Sequence, residues 1–95
     1  MNENVFYLEI EKTVRPFVKE LRNNGINTTC SCEHEGYIEA RSSDPMTEQR
    51  HIFDVMTEMK VGKWTATLRI QHSSTGFWSS GWIIESPTFI KKDNE

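Results

Sequence analysis

Much that would narrow a function is missing from this chain. It has no basic stripe: 11 Lys and Arg stand against 14 Asp and Glu, a formal charge of −3. Apart from the pair Lys91 and Lys92, the cations are scattered. Proteins that grip duplex nucleic acid through its phosphates carry clustered positive charge, so a duplex partner is argued against. No apolar run approaches the ~20 residues of a membrane span. The opening Met1-Asn2-Glu3-Asn4 is polar and acidic, where a secretory leader is basic and then apolar. The expected location is the cytoplasm, that of the host if the chain is phage-encoded.

Cysteine is scarce as well, with only Cys30 and Cys32, one residue apart. On a strand their Cα atoms would stand ~6.5 Å apart on one face. That is near the outer limit for a disulfide, and such a bridge would close almost no loop. Reduced thiols are expected. No repeat, low-complexity tract or linker divides the chain, so residues 1–90 read as a single domain and 91–95 as a frayed polar tail.

What is present is the material of one core. Charged residues make up 26% with signs interspersed, beside three Trp, five Phe and four Met. Phe6, Ile10, Val14, Phe17 and Leu21 recur at helical spacing, and Asn23-Asn24-Gly25 is a stop signal. Pro16 leaves two readings open. One is a single helix kinked at the proline, favoured because the apolar stripe continues across it. The other is a shorter helix capped by Thr13 with Pro16 in its first turn, preceded by a strand carrying Phe6, Leu8 and Ile10. Strands are expected over 26–32 and 37–42, joined by a hairpin at 33–36. Asp44-Pro45 opens a second helix whose buried stripe is Ile52, Val55, Met56 and Met59, with Phe53 at its margin and Gly62 ending it. Trp64, Ala66, Leu68 and Ile70 then alternate with Thr65, Thr67, Arg69 and Gln71. A last strand follows between Phe77 and Glu85.

The order α-β-β-α-β-β predicts an α+β fold with two helices on one face of a four-stranded, mostly antiparallel sheet. A ferredoxin-like arrangement is the alternative. The open face would carry Tyr37, Glu39 and Arg41 beside Thr65, Thr67, Arg69 and Gln71.

Three clusters invite a functional reading. Cys30, Cys32 and His34 are zinc-type ligands, but neighbours on a strand diverge rather than converge, and small buried cysteines beneath a helix explain the pair more simply. His72 beside Ser73 and Ser74 lacks the glycine pattern of a nucleophile elbow. The segment from Gly76 to Trp82 is the most unusual. Phe77, Trp78 and Trp82 could be core rings, or one indole could remain exposed as a partner anchor or stacking platform. The Ser74-Thr75 turn beside them offers hydroxyls and amides, but no Gly-Lys-Ser/Thr element follows.

The segment Ile26-Asn27-Thr28-Thr29-Cys30-Ser31-Cys32-Glu33-His34-Glu35-Gly36-Tyr37-Ile38 follows a helix with Arg15-Pro16-Phe17 and the stop Asn24-Gly25. In this first half the chain resembles small uncharacterised proteins of bacteriophages and prophages. These share an Asn-Gly helix end, a Ser-Cys strand ending in Gly-His, and a Gly-Tyr-Ile strand. Here Glu33 stands directly before His34, where those proteins have glycine. The resemblance implies phage-type origin and an α+β sandwich, and no activity.

The function read from the sequence is therefore a non-enzymatic binding or accessory protein without cofactor. Its partner is a host protein or a second copy of itself. The second reading is a small-ligand or nucleotide-binding module on the last hairpin, using Trp78, Trp82, Phe77, Ser74, Thr75, Arg69 and Tyr37. A metal or enzymatic centre at Cys30, Cys32 and His34 ranks third.

Overall fold

A computed structural model describes residues 8–72, 74–76 and 78–92, and shows α1 (Arg15–Asn23), β1 (Asn27–Cys32), β2 (Tyr37–Arg41), α2 (Pro45–Glu58), β3 (Thr65–His72) and β4 (Trp78–Glu85), then a 3-10 turn over Pro87–Phe89. The four strands form one antiparallel sheet in the order β1-β2-β4-β3. The expected α+β architecture is the one found. The ferredoxin-like alternative is not, because that topology places parallel strands side by side. The chain is instead two helix–hairpin units, α1-β1-β2 and α2-β3-β4, joined where β2 pairs with β4 from Tyr37↔Glu85 to Arg41↔Gly81. That junction leaves β1 and β3 as the edges.

The kinked helix through Pro16 does not form. Val14 is the N-cap and Pro16 falls in the first turn of α1, where a missing N–H is tolerated. The shorter-helix reading holds in that respect, but Thr13 is not the cap, and residues 8–10 are not a strand. The Arg15 guanidinium instead holds the Ile10 carbonyl at 3.2 and 3.0 Å. Ile10 thereby packs on the core, while Phe6 lies outside the described residues. Gly25 closes α1 at φ +84°, in the left-handed region that glycine enters without strain.

α2 begins as read, with the Asp44 carboxylate accepting the Thr47 N–H and Pro45 in the first turn. It ends earlier than Gly62: the helix stops at Glu58 and Lys60 takes the left-handed position at φ 56°. Ile52, Val55 and Met56 are buried, and Met59 packs at the margin. They meet Val14, Val18 and Leu21 of α1 over Ile38, Ala40, Trp82 and Ile84 of the sheet. Phe89, unremarked in the sequence, is fully buried, its ring 4.9 Å from that of Phe17. Lys91, expected in a frayed tail, donates its backbone N–H to the Glu33 carbonyl at 2.8 Å. No helix among the described residues is long and apolar enough to cross a membrane.

Candidate functional site

The first cluster read from the sequence comes apart. β1 carries a bulge between Thr28 and Cys30, after which Cys30 pairs with Glu39 and Cys32 with Tyr37. One extra residue inverts the side-chain phase of a strand. Thr28 is therefore buried under the helices, while Cys30 is exposed and Cys32 half-buried on the open face. The expectation of cysteines beneath a helix is corrected. Both are free thiols. The Cys30 Sγ lies 3.8 Å from the Tyr37 hydroxyl. That hydrogen bond, then the nearby thiolate charge, pushes the Tyr37 phenol up to about 12.

His34 joins other partners in the β1–β2 turn. Its Nε2 is 3.5 Å from Glu11, and ligand atoms of Glu11, Glu33 and His34 lie within 4.8 Å of one another. No local spacing links Glu11 to this turn, so the sequence carried no signal for the trio. Both carboxylates are engaged with backbone: Glu11 accepts the Glu33 N–H at 2.8 Å and Glu33 accepts the Thr13 N–H at 3.1 Å. Hydrogen bonding from Thr13 holds the Glu33 carboxyl below its ordinary value, with burial opposing. The trio is a clasp fastening the segment before α1 to the turn.

The open sheet face is polar and internally paired. Arg69 donates to Glu39 at 3.3 Å, and its Nε lies 3.0 Å from the Gln71 side-chain oxygen. A Cβ at Gly81 would run into the Ala40 carbonyl oxygen, so only glycine lets β2 and β4 approach there. The depression around it, about 90 Å³, falls short of the roughly 300 Å³ at which ligand pockets begin.

The last hairpin is not assembled as one site. Ser74 and Thr75 are exposed in the turn, whereas Trp82 stands in mid-strand, roughly 20 Å along β4 from Gly76. Tyr37 and Arg69 belong to the open face and Trp82 to the helix side. Trp78 pairs with His72 in the backbone ladder, and Phe77 lies outside the described residues.

A different surface emerges where α2 meets β3. β3 is an edge strand of eight residues in unbroken register with β4. Its helix-side residues outrun the cover α2 provides: Leu68 is 39% exposed and Ile70 63%. Phe53 and Met46 of α2 add 53% and 66%. Edge strands are ordinarily blunted by bulges, prolines or inward charges. β1 has such a bulge; β3 has neither bulge nor proline, and its one charged residue, Arg69, is turned to the open face and paired with Glu39. Between α2 and β3 runs a groove of about 570 Å³, lined by Gln49, Arg50, Ile52, Phe53, Trp64, Thr65, Ala66 and Trp82. The Phe53 and Trp64 rings lie 6.3 Å apart, tilted by 58°. Trp82 is buried at 8% exposure, yet its indole Nε1 has no hydrogen-bond partner among the described residues. An unmet buried donor costs about 1–3 kcal/mol. Alternation along β3 had shown an apolar face. Its incomplete cover depends on where α2 lands. Compared with known protein families, curated proteins and solved structures, the chain matches none of them.

Proposed function

We propose that this chain is a non-enzymatic binding protein of phage or prophage type, acting through protein–protein contacts made by its second half. The observation that carries this reading is the unblunted β3 edge. Its outer side has no neighbouring strand among the described residues and lies beside the exposed side chains of Leu68, Ile70, Phe53 and Met46. An edge of this kind receives an extended segment of a partner: main-chain hydrogen bonds supply affinity and alternate side chains seat against the apolar strip. Large exposed apolar patches mark such interaction sites on otherwise polar surfaces.

The test compares the wild-type chain with a Leu68→Lys, Ile70→Lys double variant in quantitative affinity capture from host lysate, with melting followed in parallel. Both residues are exposed, so the variant should keep its melting temperature and lose the captured proteins. Equal capture of the same proteins by both chains would remove the β3 edge from the function.

A further inference from the structure

We infer, resting on the reading of β3 as a contact edge, that the segment received there is β3 of a second copy of this chain. The two strands pair antiparallel about a two-fold axis normal to the sheet and passing through Leu68. The ladder itself limits the registers. Ser42 donates its N–H to the Ser80 carbonyl at 2.8 Å and Ser86 donates its own to the Gly36 carbonyl at 3.0 Å, so the even-numbered residues of β4 bond to β2. Hydrogen-bonded pairs alternate in an antiparallel ladder, so the odd-numbered residues of β4 bond to β3. Their partners are Thr65, Thr67, Arg69 and Gln71. The N–H and C=O groups of Ala66, Leu68 and Ile70 therefore point to the outer side, where no strand lies among the described residues. An axis falling between two residues would set an outward-pointing residue against an inward-pointing one, so it must pass through a residue of β3.

Shape, charge and length choose Leu68. Centred there, Leu68 meets its own copy and Ala66 meets the second copy's Ile70. Ile70 is the most exposed residue of the apolar strip, while Ala66 is its smallest and lines the groove of about 570 Å³ beside Phe53 and Trp64. The symmetry sets each protrusion opposite the other copy's groove, twice over. Arg69 then faces Thr67, whereas an axis through Arg69 would set that cation against itself, which is destabilising. Axes through Thr67 or Ile70 would pair only residues 65–69 or 68–72 of the strand, against 65–71 here. Met46 and Phe53, two helical turns apart on one flank of α2, would face their counterparts across the joined edges. Each copy brings Leu68, Ile70, Phe53 and Met46, all exposed. At roughly 100 Å² a side chain, with two strand edges, the eight together approach the roughly 1,000 Å² that a specific interface needs.

The experiment is sedimentation equilibrium of the purified full chain over a range of concentrations, joined to cross-linking through introduced cysteines. The expected result is a reversible monomer–dimer equilibrium. Ile70→Lys places a charge in the interface twice and should weaken association by roughly tenfold or more, with an unchanged circular-dichroism spectrum. Thr67→Glu sets a carboxylate against the second copy's Arg69 and should tighten association severalfold at low salt, a gain lost at high salt. In a background of Cys30→Ser and Cys32→Ser, Leu68→Cys should form an intermolecular disulfide on mild oxidation, because opposed hydrogen-bonded residues stand ~5.5 Å apart at Cα. Arg69→Cys should not, since the two thiols would lie on a diagonal of roughly 7–8 Å. A dimer unaffected by Ile70→Lys, or a disulfide at position 69 rather than 68, would overturn the axis through Leu68. A wild type that stays monomeric at every concentration would overturn self-pairing altogether. The lysate capture described above then judges the edge separately: capture lost in the Leu68→Lys, Ile70→Lys variant would keep the edge with a different partner, and equal capture would remove both.

Discussion

The two helix–hairpin units of this protein use the same order of elements to opposite ends. In α1-β1-β2, the sheet edge and the hairpin turn are both fastened. The β1 edge is bulged, Arg22 reaches the Thr28 carbonyl at 2.9 Å, and Glu11 and Glu33 fasten the chain before α1 to the hairpin turn. In α2-β3-β4, the edge strand is regular, its apolar residues outrun their helix, and an aromatic groove lies open beside it. Polar side chains answering backbone groups make a unit that closes on itself. Apolar residues without cover make one that needs something else. The difference does not follow from composition: Ile38 is fully buried on β2 and Ile70 mostly exposed on β3. Position within the sheet decides it.

The largest contrast should appear in stability. Phe89 is fully buried against Phe17 where the two units meet, and Phe89→Ala should cost about 3–5 kcal/mol in chemical denaturation. Ile70→Ala, a truncation of comparable chemistry on the open unit, should cost less than about 0.5 kcal/mol. Similar losses from the two changes would mean that β3 is packed as tightly as the core.

The clasp of the first unit should show in acid. Glu33 has its carboxyl held below the ordinary value of 4.5 in the fold. A depressed carboxylate stabilises the folded state fully above the unfolded value and loses that contribution as pH falls through the folded one. Melting temperature should therefore decline below pH 4.5, and Glu33→Gln should flatten that decline while lowering the plateau at neutral pH. An unchanged acid limb in the variant would show that the clasp contributes nothing.

The smallest effect concerns the bulge. It brings Cys30 to Tyr37, raising that phenol from 10.0 to about 12. Ultraviolet titration of Cys30→Ala should return the transition toward 10.0. A wild-type phenol titrating at its ordinary value would mean that the thiol and hydroxyl are not in contact.

Legibility followed the range of the interactions. The cap at Asp44, the stop at Gly25, the α2 stripe and the alternation of β3 were readable because neighbours within a few residues settle them. The start of α1 was misjudged because the apolar stripe runs on past Pro16, yet Ile10 reaches the core from a turn held by Arg15 rather than from a helix. The cysteines were misplaced by one bulged residue, which alternation cannot reveal. Of the groove, Trp64, Ala66 and Trp82 were visible as strand residues and Phe53 as a helix margin. Nothing in their spacing told that they would share one opening.

By itself, then, the sequence determined the inventory: two amphipathic helices, two hairpins, a strand alternating between apolar and polar residues, and no surplus of positive charge. Those features rest on local periodicity and turn chemistry, which act over less than one element. Tertiary structure alone decided that β2 would pair with β4. By doing so it made β3 an edge, left Leu68 and Ile70 beyond the reach of α2, and shut the Trp82 indole N–H away from partners. Strand order is a contest among long-range pairings, and the residues that lose cover in it look the same in the sequence as those that gain it.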